Sequence, residues 1–221
     1  MFSRALTKKE IRLIEKIEEF IREKHARCEG HDYSHVLQVT KNAIKIAKKV
    51  PYPVDPFILI CGALFHDLGR VDQISGILHG LRGASLVDQF LKAIEIDKET
   101  GKKIVRIVAR HTPTSHLPPE TIEEKIVYDA DTLDRFGLIG LLRGIIGKKG
   151  SLEEIFENVI VKRSQDYNKL IFEESKQIGR EIYEETLSFI QKLKRDLDSR
   201  LKGIKELPIP EAEGLPLKDK V

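Results

Sequence analysis

The 221-residue chain is long enough for one well-buried core, and its 41% hydrophobic and 33% charged residues, with both signs interspersed, exclude a disordered or fibrous class. A formal net charge of +3 is too small to imply a stable nucleic-acid partner, although local Lys/Arg groups can attract a phosphorylated small molecule. Cys28 and Cys61 form no disulfide framework, no run approaches the ~18 apolar residues of a membrane span, and the N-terminus lacks an apolar signal region, so two reduced, buried thiols and a cytoplasmic location are expected.

Apolar residues recur at three- and four-residue spacing with no convincing period-two run, which predicts an all-α fold, a compact helical bundle with a long C-terminal helix. The first helix begins at the capping box of Thr7 and Glu10 and ends near Cys28 and Gly30. A second runs from about Tyr33 to Val50, where Pro51 and Pro53 stop it. Asp55 and Pro56 open a third, whose FILICGALFHDLG is apolar almost all round and closes at Gly69, so it belongs at the centre of the fold.

Further helices are expected over His79 to Ile94, Lys98 to His111, Pro119 to Phe136 and Leu138 to Ile146, with capping boxes at Thr121/Glu124 and Ser151/Glu154. A long charged amphipathic helix follows from about Ser164 to Leu201, and its length suggests packing across the bundle or a homodimer contact. The Pro-punctuated LPIPEAEGLPLKDKV is expected to lack regular structure.

His66 and Asp67 lie at the end of the most apolar helix, where a charged carboxylate is costly unless a cation compensates it. The alternative is a surfacing helix terminus, with His66 favoured by the dipole and Asp67 exposed. His35 near the start of the preceding helix and Asp131 in YDADTLDRFG complete a set of two imidazoles and two carboxylates. Such a set suits a divalent Mn, Fe, Co, Ni, Zn or Mg ion with positions left for water and substrate. It activates water near neutral pH and polarises a phosphoryl oxygen.

With HDYSHVLQVTKNAIKIA, ALFHDLGR and EKIVYDADTLDRFGLIG around these residues in order, the chain resembles the HD superfamily of metal-dependent phosphohydrolases over roughly residues 31 to 143. The resemblance implies an α-helical fold and a metal held by His35, His66, Asp67 and Asp131. FHDLGR also resembles the HDIG subgroup, in which Arg70 fills the basic position and His79 and His111 fall in the order of extra ligands. Asp67 would then bridge two ions; otherwise His79 and His111 end helices or hold a substrate phosphate. Residues 1–150 are thus expected to form the metal-binding catalytic domain, 151–205 a helical extension packed on it and 206–221 a flexible tail.

Arg70, Arg82 and Arg135 are the leading phosphate-holding candidates, the last two one helical turn from His79 and Asp131. Lys125 and Arg143 are further candidates, and surface pairing is the alternative for Arg82 and Arg135, more so for Arg82. Asp72, Asp134 or His116 could protonate a leaving group, while His31 and Asp32 suit a helix cap. The deoxynucleotidases of this superfamily resemblance carry a glutamate where this chain has Arg70, which speaks against that branch. The expected activity is hydrolysis of a phosphate ester or anhydride of a nucleotide or other phosphorylated small molecule. A di-iron oxygenase of the same superfamily and a non-catalytic nucleotide-binding module are the alternatives.

Overall fold

The computed structural model describes residues 1–26, 30–71, 78–113 and 116–205, the side chains of residues 204 and 205 excepted. The expected helix end and buried thiol at Cys28, the candidate Asp72 and the 206–221 tail lie outside them. Helix is the regular structure of the described residues, with a single bridge between Phe2 and Val54 in place of any strand.

Helix α1 (Lys8–His25) starts at the expected capping box, in which the Thr7 hydroxyl and the Glu10 carboxylate each accept the other's backbone N–H. Arg4 ties this cap to the next one along the core by pairing with both Glu10 and Asp55. Asp32 caps α2 (Tyr33–Ala47), and Asp55 caps α3 (Pro56–Phe65), with Pro56 in the first turn, where its missing N–H costs nothing.

Every α3 side chain but that of Ile60 is buried, because α1, α2, α5 (Lys98–Arg110) and α6 (Ile122–Leu133) surround it. Full burial of side chains such as Leu59 and Phe65 contributes about 1.5–3 kcal/mol each. That packing makes α3 the fixed axis from which the site is built. Cys61 on this helix is buried and unpaired, and burial pushes its thiol well above the usual range.

Helix α3 ends at Phe65, four residues before the expected Gly69 stop, and a 3-10 turn over Leu68–Arg70 follows. Gly69 is needed for a different reason from a helix cap. A Cβ there would come within 2.0 Å of the His79 carbonyl oxygen and 2.7 Å of the Gly83 nitrogen, so only glycine lets the turn touch α4 (His79–Ala93). This contact fixes His79 against the end of α3.

Beyond α6 come α7 (Leu138–Ile145) and a short α8 (Leu152–Ile155), which continues through a π-turn over Phe156–Val161 into α9 (Lys162–Ser164). The last helix, α10 (Glu173–Lys205), begins nine residues later than Ser164 suggested. The chain first makes a 3-10 turn over Gln165–Lys169 and an extended step at Leu170. Buried Asp129 on α6 accepts the Ile171 and Phe172 backbone N–H groups at 2.8 and 2.9 Å, which halts the earlier helix and seeds α10. Leu141, Phe156, Ile160, Ile190 and Leu197 form a second, smaller core between α7, the π-turn and α10. No helix among the described residues is long and apolar enough to cross a membrane.

Candidate metal centre

On an uninterrupted helix adjacent side chains diverge by ~100°. His66 retains helical angles, but Asp67 leaves them with φ −102° and ψ 14°, and this exit lets both side chains face one centre. His66 Nε2 lies 3.7 Å from Asp67 Oδ2. Asp67 is 2% exposed, so the surfacing-terminus alternative does not hold.

The two Asp67 oxygens face different partners. Oδ2 points to His35 Nε2 at 3.4 Å, and His35 Nε2 in turn stands 3.2 Å from His66 Nε2 and 3.6 Å from Asp131 Oδ1. Oδ1 points to His79 Nε2 and His111 Nε2, both at 3.4 Å, and those two nitrogens are 3.2 Å apart. The six side chains expected from the sequence therefore converge around Asp67, with His35, His66 and Asp131 on one side and His79 and His111 on the other, and His31 joins His35 and Asp67 as a further group that could hold an ion.

The protonation of the imidazoles follows from their outer partners. His66 Nδ1 and His111 Nδ1 donate to the Ala63 and Val108 carbonyl oxygens at 2.7 and 2.8 Å, and His35 Nδ1 donates to Asp134 at 2.7 Å. Carbonyls and carboxylates only accept, so Nδ1 carries a proton on each of these rings and Nε2 is the nitrogen turned to the centre. Two unprotonated Nε2 atoms at the 3.2 Å that separates His35 from His66 repel, and a cation between them removes that repulsion. Burial also pushes His66 down to about 3, which keeps it neutral. Burial would raise the carboxyls, but the imidazoles, joined for Asp67 by Arg70, hold Asp67 and Asp131 well below the usual carboxylate range. Ionised carboxylates and unprotonated imidazole nitrogens are the donor state that divalent ions require.

Sequence reasoning placed His31 only as a helix cap. Asp32 takes that role, and His31 Nδ1 bonds Asp67 Oδ2 at 2.6 Å. Among the acid candidates, Asp134 is held between His35 and Arg143. His116 faces a neighbouring pocket.

A cavity of about 390 Å³ opens over Asp67 and Asp131 and is lined by Arg70, Arg135, Arg143, Lys148, Arg163 and Lys169. Arg70 Nε donates to Asp67 Oδ1 at 2.9 Å. Buried Asp166 lies 2.9 Å from Arg135 Nε and accepts from Lys169 at 2.6 Å. Arg163 donates to the Arg135 and Gly140 carbonyls at 3.2 and 2.9 Å, and burial, together with neighbouring Arg135 and Arg143, lowers it to about 10. Arg82 and Lys125 do not line this cavity. Lys148, Arg163 and Lys169 were not foreseen, because they come from the turns and short helical pieces between α7 and α10, where no periodic pattern ties a side chain to the centre.

Residues 32–135 match the family model of the HD domain. The chain is 37% identical over 128 residues, 52% of its own length, to a tRNA (cytidine(56)-2'-O)-methyltransferase of Picrophilus torridus, and spans about a third of that relative (34%). It is 26% identical over 179 residues to the uncharacterised protein YpgQ of Bacillus subtilis, covering 76% of this chain and 85% of YpgQ. The crystal structure of YpgQ in complex with ADP superposes with a TM-score of 0.66 at 25% identity, over 85% of this chain and 96% of the other. An HD-superfamily hydrolase from Bacillus thuringiensis, at 21% identity and a TM-score of 0.64 over 86% of this chain and 98% of the other, shares the fold. With the helical fold, the His and Asp clusters and these matches together, the chain carries an HD domain of the HD superfamily over residues 32–135.

Proposed function

We propose that the protein is a metal-dependent phosphohydrolase that cleaves a phosphate ester or anhydride of a nucleotide or other phosphorylated small molecule. The observation that carries this reading is Asp67, whose two oxygens each face a separate pair of imidazole Nε2 atoms beneath a cavity lined by six cationic side chains. His35, His66, Asp67 and Asp131 would hold one divalent ion, and Asp67, His79 and His111 a second. Divalent ions at these positions supply an activated water and polarise a phosphoryl oxygen.

The chain's own residues supply the rest. His35 is kept in one tautomer and orientation by Asp134. Arg70 spans from Asp67 to the cavity, where its guanidinium can hold a phosphate oxygen near the reacting centre. Lys169 is hydrogen-bonded to Asp166, which also lies in ion-pair range of Arg135, and Arg163 is held by two backbone carbonyls, so their charges are arranged before a substrate arrives. Arg135, Arg143 and Arg163 crowd one wall, and an anion relieves their mutual repulsion. This favours a substrate that carries a phosphate. Asp134, engaged on both sides, serves the fold of the site better than proton transfer to a leaving group.

The ADP complex of YpgQ supports a nucleotide as the substrate class. The methyltransferase relatives extend well beyond the matched segment, and their activity as whole proteins is not carried over. A buried, unpaired Cys61 suits a reducing compartment, and we assign the activity to the cytoplasm.

The test is phosphate and pyrophosphate release from nucleoside mono-, di- and triphosphates, cyclic nucleotides and a generic phosphodiester, with Mn, Ni, Co, Fe, Zn or Mg added. Release that a chelator abolishes is expected. Intact substrates with every metal, in protein that binds metal, would overturn the hydrolase reading.

A further inference from the structure

A second pocket of about 340 Å³ adjoins the cationic cavity, and Thr112, Pro113 and Lys169 line both. The two differ in character. The first is walled by charged side chains, whereas the second is lined mainly by Leu117, Pro118, Pro119, Tyr128 and Ile171, with His116 and Thr112 as polar groups at its margin. Tyr128 sits on α6 one turn before Asp131, so the helix that presents a carboxylate to the metal centre also presents an aromatic ring to this pocket. Lys169 stands where the two spaces meet and is anchored by Asp166.

We infer that this pocket is the subsite for the nucleoside part of the substrate, with the base against Tyr128 and the Leu117–Pro119 segment and the phosphates across Lys169 in the cationic cavity. Each volume falls within the ~300–1,000 Å³ of small-molecule sites, and an apolar pocket with a few polar groups at its edge is the environment in which a flat heteroaromatic ring is held. The inference rests on the phosphohydrolase reading for the identity of the ligand, and it adds that selectivity for an organic over an inorganic phosphate resides in Tyr128 and Leu117. These residues lie outside both His and Asp clusters, so they set affinity and leave the reacting groups in place.

The experiment is calorimetric binding of ADP and of inorganic pyrophosphate to the Mn-supplemented full chain, its Leu117→Ala variant and its Tyr128→Ala variant. ADP is expected to bind roughly ten-fold or more tightly than pyrophosphate, the size of one base-stacking contact. Each variant should lose most of that advantage while its pyrophosphate affinity stays unchanged. Leu117 is itself exposed, so Leu117→Ala keeps the test decisive if Tyr128→Ala does not fold. Equal affinities in the unmodified chain, no ADP binding, or parallel losses for both ligands in the variants would overturn the subsite. The readout is binding, so preference for ADP without turnover would sink the hydrolase reading and leave the subsite standing.

Discussion

Asp134 accepts the Nδ1–H of His35 at 2.7 Å, and Arg143 holds the same carboxylate oxygen from the opposite side. The pair fixes which His35 nitrogen faces Asp67 and Asp131. Removing such an outer partner typically costs ~10–100-fold in metal affinity. Asp134→Ala should lose affinity on that scale in competition with a chelating dye, and Asp134→Asn, which keeps an acceptor, should lose less. Equal affinity in all three proteins would remove Asp134 from the site.

Asp129, two residues before Asp131, belongs to a different structure. Its carboxylate satisfies the Ile171 and Phe172 N–H groups ahead of α10, and burial raises its pKa against those bonds. Asp129→Ala strands two donors at ~1–3 kcal/mol each when buried. A stability loss of about 2–6 kcal/mol in denaturant unfolding is expected, with metal content per folded molecule unchanged. Lost metal at full stability would reverse the assignment.

The YDADTLD run shows how far the sequence could be read. Its acidic excess inside an apolar helix pattern marks it as unusual, and the HD resemblance singles out Asp131. Nothing in the letters separates Asp129, which meets α10, from Asp134, which meets α2, because those partners lie 42 and 99 residues away. That these six His and Asp side chains would cluster was legible through helix-end positions and motif order. The cationic wall was not, since Lys148, Arg163 and Lys169 reach the cavity only after α7 to α10 have packed. The late start of α10 has the same origin, for helical periodicity from Ser164 onward gives no sign of a competing carboxylate on α6.

The touch between Gly69 and α4 makes a backbone prediction. Gly69→Ala places a methyl group against the His79 carbonyl, and the turn and α4 must separate. Overpacking of this kind costs about 1–3 kcal/mol. The thermal midpoint should fall, and binding at the His79 and His111 cluster should weaken more than at the His35 and His66 cluster. An unchanged second binding constant would show that the helix adapts without moving His79.

In the metal-free protein, burial depresses His66 to about 3, and depresses His25 and His31 as well. The unfolded chain takes up these protons as pH drops below 6.5, whereas the folded chain does not. Stability is therefore complete above that pH and declines as pH falls toward the folded values, at ~1.4 kcal/mol per pH unit for each proton. His66→Gln should show a shallower decline than the unmodified chain between about pH 6 and 4.5. Identical slopes in urea unfolding would contradict a neutral, buried His66.

The central claim is that Asp67 joins both clusters and that hydrolysis depends on it. The most direct measurement compares metal content by mass spectrometry and metal-supplemented nucleotide hydrolysis in the full chain and its Asp67→Ala variant, with helicity followed by circular dichroism. Bound metal and turnover in the unmodified chain, both lost in a variant of unchanged helicity, are the predicted result. A helical variant that keeps its metal and its turnover would contradict the claim.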